Sequence, residues 1–390
     1  MSGRRVLFYV QHLLGIGHLR RAATLTRALA RAGLEVTLVS GGHEVPGLDV
    51  GGAAFAQLPP TRAVDLYFRK LVDAEERPID DAWRARRRDL LLDIYRRVRP
   101  HVVMFELFPF GRRQMRFELV PLLETAIAET NRPLVISSVR DILVTPDKPT
   151  RADEMLALIA RYFDRVLVHG DPGFIAFDHT FPAVKALGAK LFYTGYVVDD
   201  KALGPKPASA ADRAKGEVVV SAGGGAVGEN LLATAIAARP ATRLAERPWR
   251  VLVGPSVTAA GFAALAAQAA PGVVVERARA DFPELLAKAR LSISQGGYNT
   301  LMEILATRCP AVVVPYAGGL ETEQTLRSAL LAERGYLQVI EEKALAPAVL
   351  AAAVDRGLDQ PPRPVAGIDL SGGATSAHLI SDWAENLAWS

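Results

Sequence analysis

The stretch Leu291–Gln324 (LSISQGGYNTLMEILATRCPAVVVPYAGGLETEQ) constrains the fold more than any other part of this chain. Its apolar run Leu291–Ser294 predicts a short buried strand, and Gln295-Gly296-Gly297 turns the chain. Asn299–Thr307 has helical spacing, Arg308–Pro310 stops the helix, and Ala311–Pro315 predicts a second buried strand. Strand, glycine turn, helix, strand is a βαβ unit, with the turn at the carboxyl end of the first strand. A helix opening there offers unpaired backbone N–H groups and a positive dipole end to an anion. Glycine lets backbone approach a phosphate with no Cβ in the way. Glu303 sits one turn into the helix, where a carboxylate can accept hydrogen bonds from a ribose diol. An ordinary Rossmann-like unit with Glu303 on a solvated face fits the same residues, because short glycine motifs are common.

The start of the chain shows the same punctuation. Arg4–Val10 predicts a strand, Gln11–His18 (QHLLGIGH) a glycine loop, and Leu19–Ala32 a helix stopped at Gly33. Glu35–Ser40 predicts the next strand, which opens a doubly wound α/β domain. Gly15-x-Gly17 lacks the third glycine of the dinucleotide fingerprint, and no acidic residue clearly ends the second strand, which disfavours NAD. Further strands are predicted over His101–Glu106, Pro133–Ser138 and Arg165–His169. His18, Glu106, Arg140, Asp141 and His169 then fall at strand ends, the rim on which open parallel sheets bind ligands. Each of these five side chains alone has a structural explanation; together they mark one rim.

Val198–Gly216 (VDDKALGPKPASAADRAKG) reads as a linker. A second series follows it. Glu217–Ser221 predicts a strand, Ala222–Gly228 (AGGGAVG) a glycine loop and Glu229–Ala238 a helix. Strands are predicted over Arg250–Val253 and Val273–Glu276, helices over Ala259–Ala269 and Phe282–Ala289. After Pro315, Glu323–Arg334 predicts a helix with Ala329, Leu330 and Ala332 inward. Polar side chains at its start can bond sugar hydroxyls, or Thr322 can cap it in a capping box. A final helix covers Gly372–Trp389, with Trp383 and Trp389. The expected organisation is therefore 1–198, a linker at 199–216, 217–371, and a terminal helix at 372–390 placed across the domain junction.

With 390 residues, half of them hydrophobic and 23% charged, the chain has a globular composition and room for two to three domains. A net charge of +4 is small for this length and gives no reason to expect a nucleic acid partner. The single cysteine, Cys309, excludes an intrachain disulfide and a cysteine-only metal site, and its place before a buried strand predicts an inert core residue. The first strand leaves no room for a signal peptide, and no apolar run approaches the ~18 residues of a membrane span. A cytoplasmic protein is expected, with peripheral contact at the inner face of the membrane left open. Asp81–Arg99 bears on that contact, since it places Trp83, Leu90, Leu91, Ile94 and Val98 near one face and seven arginines on the rest. It reads as a solvated amphipathic helix or as a basic helix leaning on anionic lipid or an acidic acceptor.

The segments GIGHLRRAATLTRALARAGLEVTLVS, VVVSAGGGAVG and SQGGYNTLMEILATRCPAVVVPY resemble glycosyltransferases of the GT-B type, in particular family 28. The resemblance covers most of the chain in order of elements and is most specific in the second half. It implies an α/β fold with two doubly wound Rossmann-like domains facing a central cleft, a nucleotide-sugar donor in the second and an acceptor on the first. Gly223, Gly224 and Gly225, with Gln295, Gly296 and Gly297, would hold the donor diphosphate beside Gly17, Asn299 and Thr300. Glu303 would bind the ribose, Glu323 and Gln324 the sugar, and the segment from Glu276 to Phe282, with Arg277, the base. His18 would face the reaction centre. Glu106 or Asp141 would orient it or act as the base, and Arg112 and Arg140 would lie on the acceptor side.

The expected reaction is inverting transfer of a sugar, a hexosamine among the candidates, from a UDP- or dTDP-sugar to a hydroxyl. The acceptor is unidentified, a lipid-linked one included. No Asp-x-Asp appears where a metal-bridged diphosphate needs it, so neither metal nor cofactor is expected. Two departures from the family's usual pattern leave the sugar open: Gln295 precedes the glycines, and Glu323-Gln324 replaces a more common Gln-Gln. Competing readings keep the fold but change the role, to a nucleotide-sugar 2-epimerase or hydrolase, or to a non-catalytic nucleotide-sugar-binding subunit.

Overall fold

The computed structural model describes residues 3–65, 68–143, 149–204, 208–223, 228–318, 322–359 and 367–387. The chain divides into two compact units, Met1–Val197 with Gly367–Ser390, and Val198–Ala366.

Among the described residues, the first unit is built on a seven-stranded parallel sheet. Its strands are β1 (Arg5–Val10), β2 (Glu35–Ser40), β3 (Ala54–Gln57), β4 (Val102–Glu106), β5 (Leu134–Arg140), β6 (Arg165–His169) and β7 (Leu191–Tyr193). They lie in the order β3-β2-β1-β4-β5-β6-β7. Both faces are covered, so the central strands are continuous apolar runs (VLFYV, VVMF) rather than alternating ones. Helix α1 (Gly17–Arg31) lies against one face, and α2 (Asp81–Val98) and α3 (Arg116–Ala128) pack on each other over the other.

The sheet order reverses between β1 and β4, which pair with Tyr9 opposite Phe105. The loop leaving β1 and the end of β4 therefore start side by side, at the switch point where such sheets bind ligands.

The second unit repeats the plan. Strands β8 (Val218–Ser221), β9 (Trp249–Val253), β10 (Val273–Arg277), β11 (Leu291–Ser294), β12 (Ala311–Val313) and β13 (Gln338–Val339) run parallel in the order β10-β9-β8-β11-β12-β13. Here the switch point falls between β8 and β11, with Ser221 opposite Ser294. Residues 199–216 hold two short helices, Asp200–Leu203 and Ala210–Lys215, and group with this unit. Arg213, the polar residue of that segment that folds inward, donates to the carbonyls of Ala289 (3.0 Å) and Thr307. A segment that reads as a linker by composition is thus anchored to the second core.

The terminal helix Gly372–Glu385 belongs to the first unit, where it packs along α1. Trp383 meets Phe192 edge-on at 4.9 Å, and the Arg165 guanidinium lies over both rings. This cover explains why α1 is buried on nearly every face. Trp389 lies outside the described residues.

Two inward faces differ from expectation. On α2 the buried side chains are Trp83, Arg87, Leu91, Ile94 and Tyr95, so one of the seven arginines is a core residue. Arg87 donates to both oxygens of Glu118 (2.7 and 2.9 Å), to Gln11 Oε1 (2.6 Å) and to the carbonyls of Gly41 and Pro59. Three other arginines of the helix, Arg84, Arg88 and Arg96, pair with Asp81, Asp89 and Asp93. Local acids thereby offset much of the basic face. On the helix Glu323–Glu333 the buried residues are Glu323, Arg327, Ser328 and Leu331, not Ala329, Leu330 and Ala332. An ion pair between Arg327 and Glu323 (2.8 Å, four residues apart) makes that polar face burial tolerable.

Candidate functional site

In the first unit the rim side chains converge on Glu106, the last residue of β4. His18, in the first turn of α1, places Nδ1 2.8 Å from Glu106 Oε1. Arg21, one turn further on, donates to the same oxygen and lies 3.4 Å from His18 Nδ1. Ser138 Oγ, on the neighbouring strand β5, donates to Glu106 Oε2 at 2.8 Å. The carboxylate is 1% exposed and the imidazole 14%, so the ring reaches solvent while its partner does not. Burial, together with the cationic Arg140, Arg112 and Arg21, holds the His18 imidazole well below its usual range. The ring is therefore neutral near pH 7. Because Nδ1 faces a carboxylate, it carries the proton, and Nε2 is left with a lone pair.

The other rim residues make hydrogen bonds of their own. Asp141 is fully buried and accepts from Tyr196 Oη at 2.6 Å. Arg112 is half-buried and donates from Nε to the carbonyl of Gln11 (2.6 Å), next to His12. Burial first, then Arg140, pulls the Arg112 guanidinium down to about 10. Arg140 ends β5, opposite His169 in register. Arg21 and Ser138 join the site beyond the residues expected from sequence. Their signals were present: Arg21 is three residues after His18 on one helix face, and Ser138 lies two residues before Arg140 on a strand aimed at the rim.

In the second unit, Gln295-Gly296-Gly297 connects β11 to the helix Tyr298–Thr307. Gly297 is the N-cap and no side chain caps this end. A Cβ at Gly297 would meet nothing within 4 Å among the described residues, which leave the helix N-terminus open. Gly296 differs, because a Cβ there would lie 2.6 Å from Ser328 Oγ. That glycine lets the start of the helix Glu323–Glu333 come close behind the turn. The Ser328 hydroxyl is fully buried and, among the described residues, has no hydrogen-bond partner. The loop after β8 meets the same turn, since Gly228, the N-cap of the helix Glu229–Ala238, lies against Gln295. Gly223 precedes that loop, whereas Gly224 and Gly225 lie outside the described residues.

Asn299 and Thr300 occupy the first helical turn and are half-buried; Glu303 is 7% exposed one turn on. Glu323 is committed to Arg327, whose guanidinium also covers the Tyr298 ring. Gln324 accepts from the Tyr316 N–H through Oε1 (3.1 Å). Thr322 stands at the N-cap of that helix without making a side-chain cap. Arg277 donates to the carbonyls of Gly254 and Val257 and stacks on Phe262, which fixes the loop after β9. Phe282 is buried at the start of its helix. Among the described residues no group of three or more His, Cys, Asp or Glu could hold a metal ion. No described helix is long and apolar enough to cross a membrane.

Comparison with known proteins agrees with this geometry. Residues 266–378 match the glycosyltransferase family 28 C-terminal domain, a span that contains the open helix N-terminus and Glu303. Over 111 residues, 28% of this chain, the chain is 35% identical to the UDP-N-acetylglucosamine–N-acetylmuramyl-(pentapeptide) pyrophosphoryl-undecaprenol N-acetylglucosamine transferase of Rhizobium leguminosarum bv. trifolii. The match spans 30% of that relative's length. Solved structures align over the whole chain. The calicheamicin glycosyltransferase CalG4 does so with TM-score 0.62 and 17% identity, covering 100% of both chains. MurG of Acinetobacter baumannii aligns with TM-score 0.54 and 16% identity over 98% of this chain and 99% of its own. The glycosyltransferase VinC, solved with dTDP, aligns with TM-score 0.57 and 14% identity over 98% and 96%. The fold is GT-B. Within it, the similarity to family 28 lies in residues 266–378.

Proposed function

We propose that this chain is an inverting glycosyltransferase that moves a sugar from a UDP- or dTDP-sugar to a hydroxyl acceptor without a metal ion. The observation that carries the reading is the N-terminus at Gly297, uncapped and unobstructed among the described residues, inside the segment that matches the family 28 domain. Backbone N–H groups there suit a diphosphate and stabilise the charge it gains as it leaves, which is the task a metal performs elsewhere. Glu303 takes the ribose hydroxyls. The relatives' names point to a hexosamine donor and a lipid-linked acceptor, and both are part of the proposal.

His18 is the base. Its bare Nε2 takes the acceptor proton as the hydroxyl oxygen attacks the anomeric carbon and the bond from that carbon to the diphosphate oxygen breaks. The nucleoside diphosphate leaves with the electron pair. Glu106 has both oxygens occupied by donors, so it orients the imidazole and balances its charge when protonated, rather than acting as the base.

The test is donor consumption in EDTA, with UDP- and dTDP-hexosamines and a panel of lipid-linked and soluble hydroxyl acceptors. Acceptor-dependent release of nucleoside diphosphate, lost in His18→Ala, supports transfer. Free sugar formed without acceptor would support hydrolysis, and a new nucleotide sugar would support epimerisation.

A further inference from the structure

The hydrogen bonds behind Glu106 run deeper than the dyad. Ser138 Oγ donates its one proton to Glu106 Oε2 (2.8 Å) and also lies 2.8 Å from His169 Nε2. His169 must then supply the proton of that second bond, so Nε2 is protonated. On its other side His169 Nδ1 lies 2.9 Å from Thr194 Oγ1. Burial, and next the Arg21 charge, lowers the His169 pKa to about 3, so the ring is neutral and a proton on Nε2 leaves Nδ1 bare beside the Thr194 hydroxyl. Ser138 and His169 are fully buried and Thr194 almost so. From His169 inward the protons have one direction, His169 to Ser138 to Glu106, while the Thr194 hydroxyl has a second acceptor in the Gly195 carbonyl at 2.9 Å. The chain crosses from β6 to β5 to β4, so it is built on the rigid centre of the sheet.

We propose that Ser138 and His169 are positioning residues that fix the tautomer of His18 through Glu106. The inference rests on the reading of His18 as the base. Its physical content is a competition at His18 Nδ1. Glu106 Oε1, 2.8 Å away, demands a proton on Nδ1; Arg21 Nη2, 3.4 Å away, can only donate to a bare Nδ1. Ser138 pins the second carboxylate oxygen and so keeps the first against the ring. Without it the carboxylate is free to turn toward Arg21, and the guanidinium favours the opposite tautomer, with the proton on Nε2 where a base cannot use it. The other charged or titratable groups around the imidazole are His12, Arg112 and Arg140, on the loops and strand end that surround it. They are common to all variants compared below.

The test uses the full-length protein with ¹⁵N-labelled histidine, recorded at pH 7.5, in the wild type, Ser138→Ala, His169→Ala and His169→Gln. The wild-type His18 signals should report protonated Nδ1 and bare Nε2. Ser138→Ala, which removes one oxygen, should give a mixed or reversed tautomer, and His169→Ala should do the same. His169→Gln, whose amide can donate from near the lost Nε2, should restore the wild-type pattern. In turnover, Ser138→Ala should lower kcat about 10- to 100-fold, the usual effect of losing a bond to a charged group, with the donor KM unchanged. Wild-type His18 signals in Ser138→Ala would overturn the proposal. A wild type with no transferase activity would overturn the functional reading instead, and the spectra would still decide whether Ser138 and His169 set the tautomer.

Discussion

His18 Nδ1 and Glu106 Oε1 lie 2.8 Å apart although 88 residues separate them in the chain. The sheet order brings them together: β1 and β4 pair at the switch point, His18 enters on the helix after β1, and Glu106 ends β4. The contact fixes which imidazole nitrogen is bare. His18→Ala should lower the transfer rate by about 10²–10⁴-fold with donor affinity little changed. Glu106→Gln keeps the shape but removes the charge that balances the imidazolium, so kcat should fall while donor KM holds. Steady-state kinetics on both variants check this, and an unchanged rate in His18→Ala would remove it from the mechanism.

The two glycines of the turn at 295–297 should separate stability from binding. Gly296→Ala drives a Cβ to 2.6 Å from Ser328 Oγ and 3.4 Å from Gln324 Cβ, so it should lower the thermal midpoint. Gly297→Val meets nothing within 4 Å of its Cβ among the described residues but places bulk where a diphosphate would approach. It should leave the midpoint nearly unchanged and weaken nucleotide binding. Thermal melts with and without UDP distinguish the two.

Buried neutral histidines give the fold an acid limit. Burial, followed by Arg112, lowers the His12 pKa to about 4. Burial, with Arg5 and Arg4, takes His101 to about 4, where its Nδ1 accepts from the Arg5 N–H. His169 is at about 3. The unfolded rings protonate near 6.5, so between pH 6.5 and 4 the unfolded state binds more protons than the native state. Stability is therefore full above pH 6.5 and falls as pH drops, by up to about 1.4 kcal/mol per pH unit for each ring. Urea unfolding midpoints at pH 7.5, 6 and 5 measure it; a flat profile would contradict the burial of these rings.

Arg87 and Glu118 form a fully buried ion pair that also ties Tyr9 and Gln11 to α2 and α3. Arg87→Met strands the Glu118 carboxylate and should cost about 3–5 kcal/mol. Arg87→Met combined with Glu118→Gln should recover part of that loss. Chemical denaturation of the single and double variants checks both statements.

Much of this architecture is legible in the sequence, for physical reasons that also explain what is not. The central strands are buried on both faces, so VLFYV, VVMF and VVVS announce themselves as apolar runs, the first and last of them followed by glycine loops. The edge strands Ala54–Gln57 and Gln338–Val339 are short and partly exposed, and they carry no such signal. Arg87 and Arg327 read as surface charges because helical spacing shows a face but not a distant acid or ring that makes burial tolerable. The rim residues were legible as a set, since topology alone puts strand ends together. Their pairing was not: the choice of Glu106 over Asp141 as the partner of His18 depends on Tyr196 engaging Asp141, a contact 55 residues away in sequence.

On the proposed function, the helix end at Gly297 and Glu303 bind a nucleoside diphosphate without a metal. Isothermal titration of UDP and dTDP in EDTA, into the wild type and Glu303→Ala, tests it most directly. Saturable one-to-one binding of at least one nucleotide to the wild type, weakened at least tenfold in Glu303→Ala at an unchanged thermal midpoint, is the result expected. Absence of binding by both nucleotides, or equal affinity in the two proteins, would rule out this donor site.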